Sequence, residues 1–217
     1  MTNKEIKRIG IGLACLTALL IILGLSACYL VRKITLHQVG LVSENFLTVE
    51  DEPVKAVDYV NPYSFFLNDE MAYYIMGLCQ DFSVDSDFAI ALLMKENPKL
   101  DFNSIGKPNN DGTIDVGLWQ LNDRYLYSKD GFIEMFWPKD FPKFDAMNWK
   151  HNTYVAIKLI KDLQKTFGEN AYEKIAAAYN CGTRRVFEES IPYTTRTDYV
   201  PSVMNNLAVI RMSAEVG

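Results

Sequence analysis

The feature that most constrains the fold is a run of 23 residues without a charged side chain, Ile9–Val31. In a helix, which rises about 1.5 Å per residue, this run reaches across the roughly 30 Å hydrocarbon core of a bilayer. Lys4, Lys7 and Arg8 precede it, and basic residues favour the inner side of a membrane. We therefore expect residues 1–33 to be a membrane segment and the rest of the chain to face outward.

Residues 25–28 have the sequence Leu-Ser-Ala-Cys, which resembles the lipobox at which bacterial lipoproteins are cleaved and acylated. The apolar run continues through Tyr29–Val31, whereas a cleaved lipoprotein usually becomes polar there, so an uncleaved helix is favoured. Residues 1–33 are thus a membrane anchor or a lipoprotein-type signal. Either form attaches the chain to a bacterial membrane, with the remaining part in the periplasm or at the cell exterior.

Charge and histidine content exclude several classes of function. The formal net charge is −5, which offers no basic surface to nucleic acid. The two histidines, His37 and His151, are far apart, and no Cys-x-x-Cys or His-x-x-x-His spacing occurs. We therefore expect neither a metal site nor another cofactor, and no Ser-His-Asp relay. With 217 residues, 49% of them hydrophobic, the chain can bury one core, which predicts one folded domain with appendages.

Helix signals organise the chain after the anchor. Residues 34–67 mix acids, valines and prolines without a period, and we predict that they form a tether. Asn68 is placed to cap a first helix, and Asp85 or Ser86 to cap a second, apolar one. The second helix is expected to end near Pro98, because proline disfavours helix in the residue before it.

The remaining patterns complete a mainly helical domain. Glycines, asparagines and aspartates in Gly106–Gly117 predict turns and a small irregular hairpin. A long amphipathic helix is predicted to end at Gly168, the next helix to be capped by Asn170, and a last helix to cover Asp198–Arg211. Residues 68–212 are therefore predicted to form a single α-rich domain.

Glu96 is the residue that these patterns single out for chemistry. It lies in the last turn of the predicted apolar helix, where burial and the negative end of the helix dipole both disfavour a charged carboxylate. Its pKa is expected to rise, which makes it a proton donor at neutral pH. Most glutamates near helix ends are simply solvated, so the wider sequence context decides between the two interpretations.

Five motifs supply that context. Met94–Pro98 resembles the "ESxxNP" region around the catalytic glutamate of the lytic transglycosylase (SLT) family, and Asp115–Asn122 resembles the "GLMQL" motif of that family. Ala178–Gly182 is similar to its "AYNAG" motif, with Cys181 in place of alanine. The two other matches are Asn152–Ile160 with "NIxxGxxYL" and Tyr199-Val200 with "YVxxV". All five stand in the family's order, which makes coincidence a poor explanation.

This resemblance implies a lysozyme-like fold, mainly α with an α+β character and a substrate groove. It implies an enzyme that cleaves the β-1,4 bond between N-acetylmuramic acid and N-acetylglucosamine in peptidoglycan, with Glu96 as acid and then base. By the same resemblance, Asp115, Gln120, Tyr179 and Asn180 bind substrate, and Tyr179 contacts Glu96. The implied partners are peptidoglycan glycan strands, the membrane through the N-terminal segment, and cell-wall or secretion machinery.

Departures from the family pattern leave alternatives open. Asn97 stands where the family usually has serine, which puts a supporting hydrogen bond in question. The run Asn109–Gly117 also resembles animal-type lysozymes, in which the aspartate before the glycine is a second catalytic carboxylate. Glu96 with Asp115 could then act as a hydrolytic muramidase. A non-catalytic wall-binding or assembly subunit is a third hypothesis, and the retained catalytic-type residues argue against it.

Two further features allow more than one interpretation. The aromatic-rich stretch Tyr125–Phe144 matches none of the motifs and is either a lid or ordinary packing, with packing favoured. Cys79 and Cys181 lie in a domain placed outside the cytoplasm, where disulfides persist. Free buried thiols are nevertheless the favoured prediction for these two cysteines.

Overall fold

The computed structural model describes residues 60–216, and within this range the chain is mainly helical with one two-stranded sheet. The described α-helices are α1 (Asp69–Phe82), α2 (Ser86–Glu96), α3 (Asp123–Tyr127), α4 (Phe132–Phe136), α5 (Trp149–Phe167), α6 (Tyr172–Cys181), α7 (Thr183–Phe187) and α8 (Val200–Val216). A π-helical turn, π1 (Thr195–Tyr199), leads into α8, and the strands are β1 (Asp115–Val116) and β2 (Leu121–Asn122). The predicted mainly helical fold class is confirmed for this part of the chain.

The predicted membrane segment, residues 1–33, lies outside the described residues, as does most of the predicted tether, 34–67. Within residues 60–216, no helix is long and apolar enough to cross a membrane. Residues 60–67, which sequence analysis assigned to the end of the tether, include Tyr63 and Leu67, both of which are buried. This segment, although it precedes residue 68, therefore packs onto the domain.

Of the three helix N-caps predicted from the sequence, the structure contains two. Asn68 caps α1 by accepting a hydrogen bond from the backbone nitrogen of Met71 at 2.9 Å, and Asp85 caps α2 in the same manner. Both predictions are confirmed. The prediction for Asn170 is wrong, because α6 begins at Tyr172 without a side-chain cap.

Helix α2 is the central element of the described domain. Its side chains from Phe88 to Leu93 are all fully buried, so the helix is apolar around its circumference and is enclosed by its neighbours. Helix α8 packs along it, and α1 contacts it as well. Each large apolar side chain buried in this way contributes about 1.5–3 kcal/mol. This packing fixes the carboxyl end of α2, where Glu96 is the last helical residue.

The two short strands form a tight antiparallel pair in which Asp115 lies opposite Asn122. Gly117 begins the connection with φ of 75°. A Cβ atom on Gly117 would lie 2.4 Å from the carbonyl oxygen of Ala146, so this turn requires glycine. The chain also reverses before β1, because Ile105 and Val116 form an antiparallel bridge and the Gly106 nitrogen donates to the Asp115 carbonyl oxygen at 2.8 Å. The irregular hairpin predicted within Gly106–Gly117 is therefore confirmed, and the β1–β2 turn is a second reversal directly after it.

The aromatic-rich stretch packs against α5 through its central tryptophan. Trp137 is buried, and its ring centroid lies 5.5 Å from that of Tyr154 and 4.6 Å from that of His151. Tyr125 and Tyr127, in α3, are instead exposed. The packing interpretation therefore holds for Trp137, while α3 presents aromatic side chains to solvent.

Candidate active site

Glu96 combines a desolvated carboxyl group with partial access to solvent at the end of α2. Burial raises the pKa of Glu96 from 4.5 to about 8, and the negative charge of Asp115 acts in the same direction. A hydrogen bond from Tyr199 and the positive charge of Lys95 oppose this rise. The neutral acid is therefore the main form of Glu96 at neutral pH, as the sequence predicted.

Tyr199 is the direct partner of Glu96. Its hydroxyl group donates a hydrogen bond to Oε1 of Glu96, and the Tyr199 side chain is buried. Burial, followed by the charge of Glu96, raises the pKa of Tyr199 well above its usual value. Tyr199 is the last residue of π1, and π-helical turns are frequent at functional sites. In the sequence, Tyr199 stands out only as part of a motif, without a predicted role.

Tyr179 makes a different hydrogen bond from the contact that sequence analysis predicted. Its hydroxyl donates to the carbonyl oxygen of Trp119 at 2.9 Å. The pKa of Tyr179 is raised well above its usual value, first by burial and then by the charges of Glu96 and Asp115. Tyr179 therefore lies close to both carboxyl groups. The hydroxyl group that donates a hydrogen bond to Glu96, however, is that of Tyr199.

Asn97 ties the end of α2 to the turn between the strands. Its Nδ2 atom donates to the carbonyl oxygens of Asp101 at 2.8 Å and Leu118 at 3.2 Å. Its Oδ1 atom accepts from the Asp101 backbone nitrogen at 3.0 Å. The asparagine that departs from the family's serine thus supports the helix end beside Glu96 through three hydrogen bonds.

Asn152, in α5, fixes the turn from the other side. Its Oδ1 atom accepts from the backbone nitrogen of Trp119 at 2.7 Å, and its Nδ2 atom donates to the carbonyl oxygen of Val116 at 3.2 Å. The Trp119 indole donates to Oγ1 of Thr153 at 2.9 Å. Asn152 and Thr153 are fully buried. Asn152 belongs to a sequence motif but had no predicted role, and in the structure it positions the loop that follows β1.

Asp115 is held by two side-chain amides. Asn122 donates to its Oδ1 atom at 3.0 Å, and Asn109 donates to its Oδ2 atom at 3.3 Å. The charge of Asp115 raises the pKa of Glu96, so the two carboxyl groups are close enough to interact electrostatically. The fold thus brings together Glu96, Asp115 and Tyr179 from three separate elements.

Gln120 and Asn180 each make a side-chain hydrogen bond within the protein. Gln120 has φ of 48°, and its Nε2 atom donates to the carbonyl oxygen of Gly117 at 2.8 Å, which orders the turn. Asn180 is exposed, and its Oδ1 atom accepts from Oγ1 of Thr195 at 2.7 Å. Gln120 therefore supports the turn, whereas Asn180 links the end of α6 to the start of π1.

The two described cysteines are free thiols, Cys79 buried and Cys181 half-buried. The disulfide alternative is therefore wrong, and burial raises the pKa of both thiols.

Among residues 60–216, no group of three or more His, Cys, Asp and Glu side chains is arranged to hold a metal ion. A cavity of about 410 Å³ between Gln80 and Ser86 adjoins the opposite end of α2 and contains none of the site residues.

Comparison with known proteins identifies one family. The model of the transglycosylase SLT domain matches residues 74–197, more than half of the chain. Among solved structures, the fold is similar to an inactive mutant of the lytic transglycosylase Slt from Pseudomonas aeruginosa, with a TM-score of 0.52 and 15% sequence identity. That match covers 66% of this chain and 24% of the Slt chain, so this chain corresponds to about a quarter of that enzyme. A search of curated proteins finds no match.

Proposed function

Since the chain belongs to the transglycosylase SLT domain family, we propose that it cleaves peptidoglycan as a lytic transglycosylase. The bond cleaved is the β-1,4 bond between N-acetylmuramic acid and N-acetylglucosamine, and Glu96 is the acid. The observation that carries this proposal is the desolvated carboxyl group of Glu96, whose pKa of about 8 keeps it protonated at neutral pH. A general acid must be in this state to donate its proton.

In the proposed reaction, Glu96 gives its proton to the glycosidic oxygen while the bond between that oxygen and the anomeric carbon breaks. N-acetylglucosamine leaves with a neutral hydroxyl group, and positive charge develops on the anomeric carbon. The Glu96 carboxylate then takes the proton of the 6-hydroxyl group on the same muramyl residue, whose oxygen bonds to the anomeric carbon. The product ends in 1,6-anhydromuramic acid, Glu96 is protonated again, and no water is consumed.

The surroundings of Glu96 suit both steps. Burial favours the protonated form before cleavage, whereas the hydrogen bond from Tyr199 and the charge of Lys95 stabilise the carboxylate after it. These opposing effects keep the pKa close to the working pH, where one group serves well as acid and as base. Gln120, Tyr179 and Asn180 are proposed to position the substrate around this carboxyl group.

A hydrolytic muramidase is the second candidate, and the position of Asp115 favours it. The Asp115 carboxyl group is held by two amide donors and acts electrostatically on Glu96. At the separation that such enzymes need, a second carboxylate would serve a retaining hydrolase as nucleophile, or an inverting one as base for water. In either case the released glycan would carry a reducing end.

The test is mass spectrometry of muropeptides released by the purified protein. The transglycosylase product is about 18 Da lighter than the hydrolytic one, the mass of the water not added. We expect anhydro ends from the unmodified protein, no release by Glu96→Gln, and a much smaller loss for Asp115→Asn. Reducing ends together with equal losses for both variants would establish the muramidase instead. Binding to peptidoglycan without any release would indicate the wall-binding subunit.

We further propose that residues 1–33 anchor the enzyme to a bacterial membrane, with the domain facing the periplasm or the cell exterior. This placement would bring the domain to its substrate. Deletion of residues 1–33 is expected to yield a soluble enzyme with unchanged activity on isolated peptidoglycan, because the tether separates the anchor from the site residues. Recovery of the full chain in the soluble fraction would refute the anchor.

A further inference from the structure

Lys95 precedes Glu96 in the chain, and its ammonium group contacts the element that carries Tyr199. Its Nζ atom lies 3.0 Å from Oδ2 of Asp198 and donates to Oγ of Ser202 at 3.3 Å. The same atom lies 5.9 Å from the ring centroid of Tyr199. Lys95 therefore connects the end of α2 both to π1 and to the first turn of α8.

The contacts form two adjacent pairs between the same two elements. Lys95 pairs with Asp198, and the next residue on each side, Glu96 and Tyr199, forms the hydrogen bond of the candidate site. The other end of π1 is fixed separately, because buried Thr195 donates to Asn180 on α6. The side of π1 that faces Glu96 is thus held by the ion pair directly beside the Glu96–Tyr199 bond.

We propose that Lys95 is a positioning residue, which together with Asp198 holds π1 in register with the end of α2 so that Tyr199 reaches Glu96. We name these two residues the register pair. The proposal rests on the proposed function in one respect, namely that Glu96 is the acid. It assigns to the register pair an effect on the geometry of the acid, in addition to the direct effect of the Lys95 charge on the Glu96 pKa.

Exposure indicates what the register pair contributes. The Lys95 side chain is 25% exposed and that of Asp198 is 71% exposed. An ion pair this open to solvent contributes little to folding stability. Its loss is therefore expected to leave the domain folded while the contact between Tyr199 and Glu96 loosens, which separates positioning from a general structural role.

The chain supplies a closely matched control pair. Lys150 Nζ lies 3.0 Å from Oε1 of Glu70, with side chains 28% and 67% exposed. Lys150 Nζ also lies 5.9 Å from the ring centroid of Tyr74. This pair reproduces the distance, exposure and aromatic neighbour of the register pair without a contact to Glu96. Lys150→Met is therefore the control for Lys95→Met.

The activity arm measures kcat and KM for peptidoglycan cleavage. Lys95→Met and Asp198→Asn are each expected to lower kcat about tenfold, the equivalent of one weakened hydrogen bond to a charged group. KM should change little, Lys95→Arg should restore most of the rate, and Lys150→Met should behave as the unmodified protein. Equal losses in Lys95→Met and Lys150→Met would overturn the proposal.

The second arm needs no substrate and follows the Glu96 carboxyl carbon by NMR during a pH titration. Glu96 is faced by Tyr199, Asp115, Lys95 and Tyr179. Asp198→Asn removes a negative charge, and if charge were its only effect the pKa of Glu96 would fall. The register pair predicts the opposite, because a displaced Tyr199 no longer lowers that pKa.

An upward shift of the Glu96 pKa in Asp198→Asn supports the register pair, and an unchanged or lowered pKa overturns it. The two arms also separate this proposal from the function on which it rests. If the unmodified protein does not cleave peptidoglycan but the upward shift appears, the proposed function fails while the positioning role stands. If cleavage occurs without the shift, the function stands and the register pair is rejected.

Discussion

The Tyr199 hydroxyl group donates a hydrogen bond to the carboxyl group of Glu96, although the two residues are 103 positions apart. Packing of α8 along α2 brings them together. The hydrogen bond opposes the effect of burial on the Glu96 pKa. A residue far away in the sequence therefore tunes the protonation state of the candidate acid through direct contact.

Tyr199→Phe removes this donor and keeps the ring. Because the hydrogen bond lowers the pKa of Glu96, that pKa should rise, and the alkaline limb of the pH–rate profile should move to higher pH. We expect kcat to fall about tenfold or more, because the carboxylate formed after cleavage loses a charge-assisted hydrogen bond.

Tyr172→Phe is the control for that experiment. The Tyr172 hydroxyl donates to Oδ2 of Asp85 at 2.7 Å, another tyrosine–carboxylate bond, but at the opposite end of α2. Its removal should leave the pH–rate profile in place. An unshifted profile in Tyr199→Phe would mean that the Glu96–Tyr199 bond does not influence the reacting state.

Glu96 should also make folding stability depend on pH. Its pKa is raised from 4.5 to about 8, so between these values the folded state holds a proton that the unfolded state releases. Stability therefore falls as pH rises through this window, by up to about 1.4 kcal/mol per pH unit. Glu96→Gln has no proton to release and should be more stable than the unmodified protein at pH 8, but not at pH 4.

Urea denaturation at several pH values measures this difference in the free energy of unfolding. The control is Glu173→Gln, at an exposed position in the first turn of α6, which should keep the slope of the unmodified protein. Parallel stability curves for Glu96→Gln and the unmodified protein would contradict a desolvated carboxyl group at position 96.

The turn after β1 can be tested with two glycines of similar backbone conformation. Gly112 has φ of 79° and open space around it, whereas Gly117 has φ of 75° with the Ala146 carbonyl oxygen and Nδ2 of Asn152 each 2.4 Å from an added Cβ. Gly112→Ala should cost about 1–2 kcal/mol from the left-handed conformation alone. Gly117→Ala should cost about 1–3 kcal/mol more from crowding. Equal losses in thermal stability would show that the turn relaxes freely.

Asn152 is expected to be the most sensitive supporting residue. Asn152→Ala leaves the Trp119 nitrogen and the Val116 carbonyl oxygen without their side-chain partner, and should lower the free energy of unfolding by about 2–4 kcal/mol. Asn206→Ala, which removes one hydrogen bond to the Ala91 carbonyl oxygen, should cost about 1 kcal/mol. Comparable losses in denaturant unfolding would argue against a special role for Asn152.

Sequence reasoning succeeded where the interactions are local or where a motif is specific. The caps at Asn68 and Asp85 depend on atoms within three residues of the cap, which the sequence displays directly. The end of α2 near Pro98 follows from the same local logic, and the raised pKa of Glu96 follows from the apolar character of α2, which indicates burial. The SLT family, read from five ordered motifs, is confirmed by the family model.

Only the tertiary structure decided which side chains meet. Three contacts depend on how α2, π1 and the β1–β2 turn pack. Glu96 accepts a hydrogen bond from Tyr199 and not from Tyr179, Asn97 supports the end of α2, and Lys95 pairs with Asp198. Such contacts join residues far apart in sequence, and no pattern along the chain reports the distance between them. The sequence by itself therefore determined the main helices, the family and the candidate acid, while packing around a buried central helix determined what surrounds that carboxyl group.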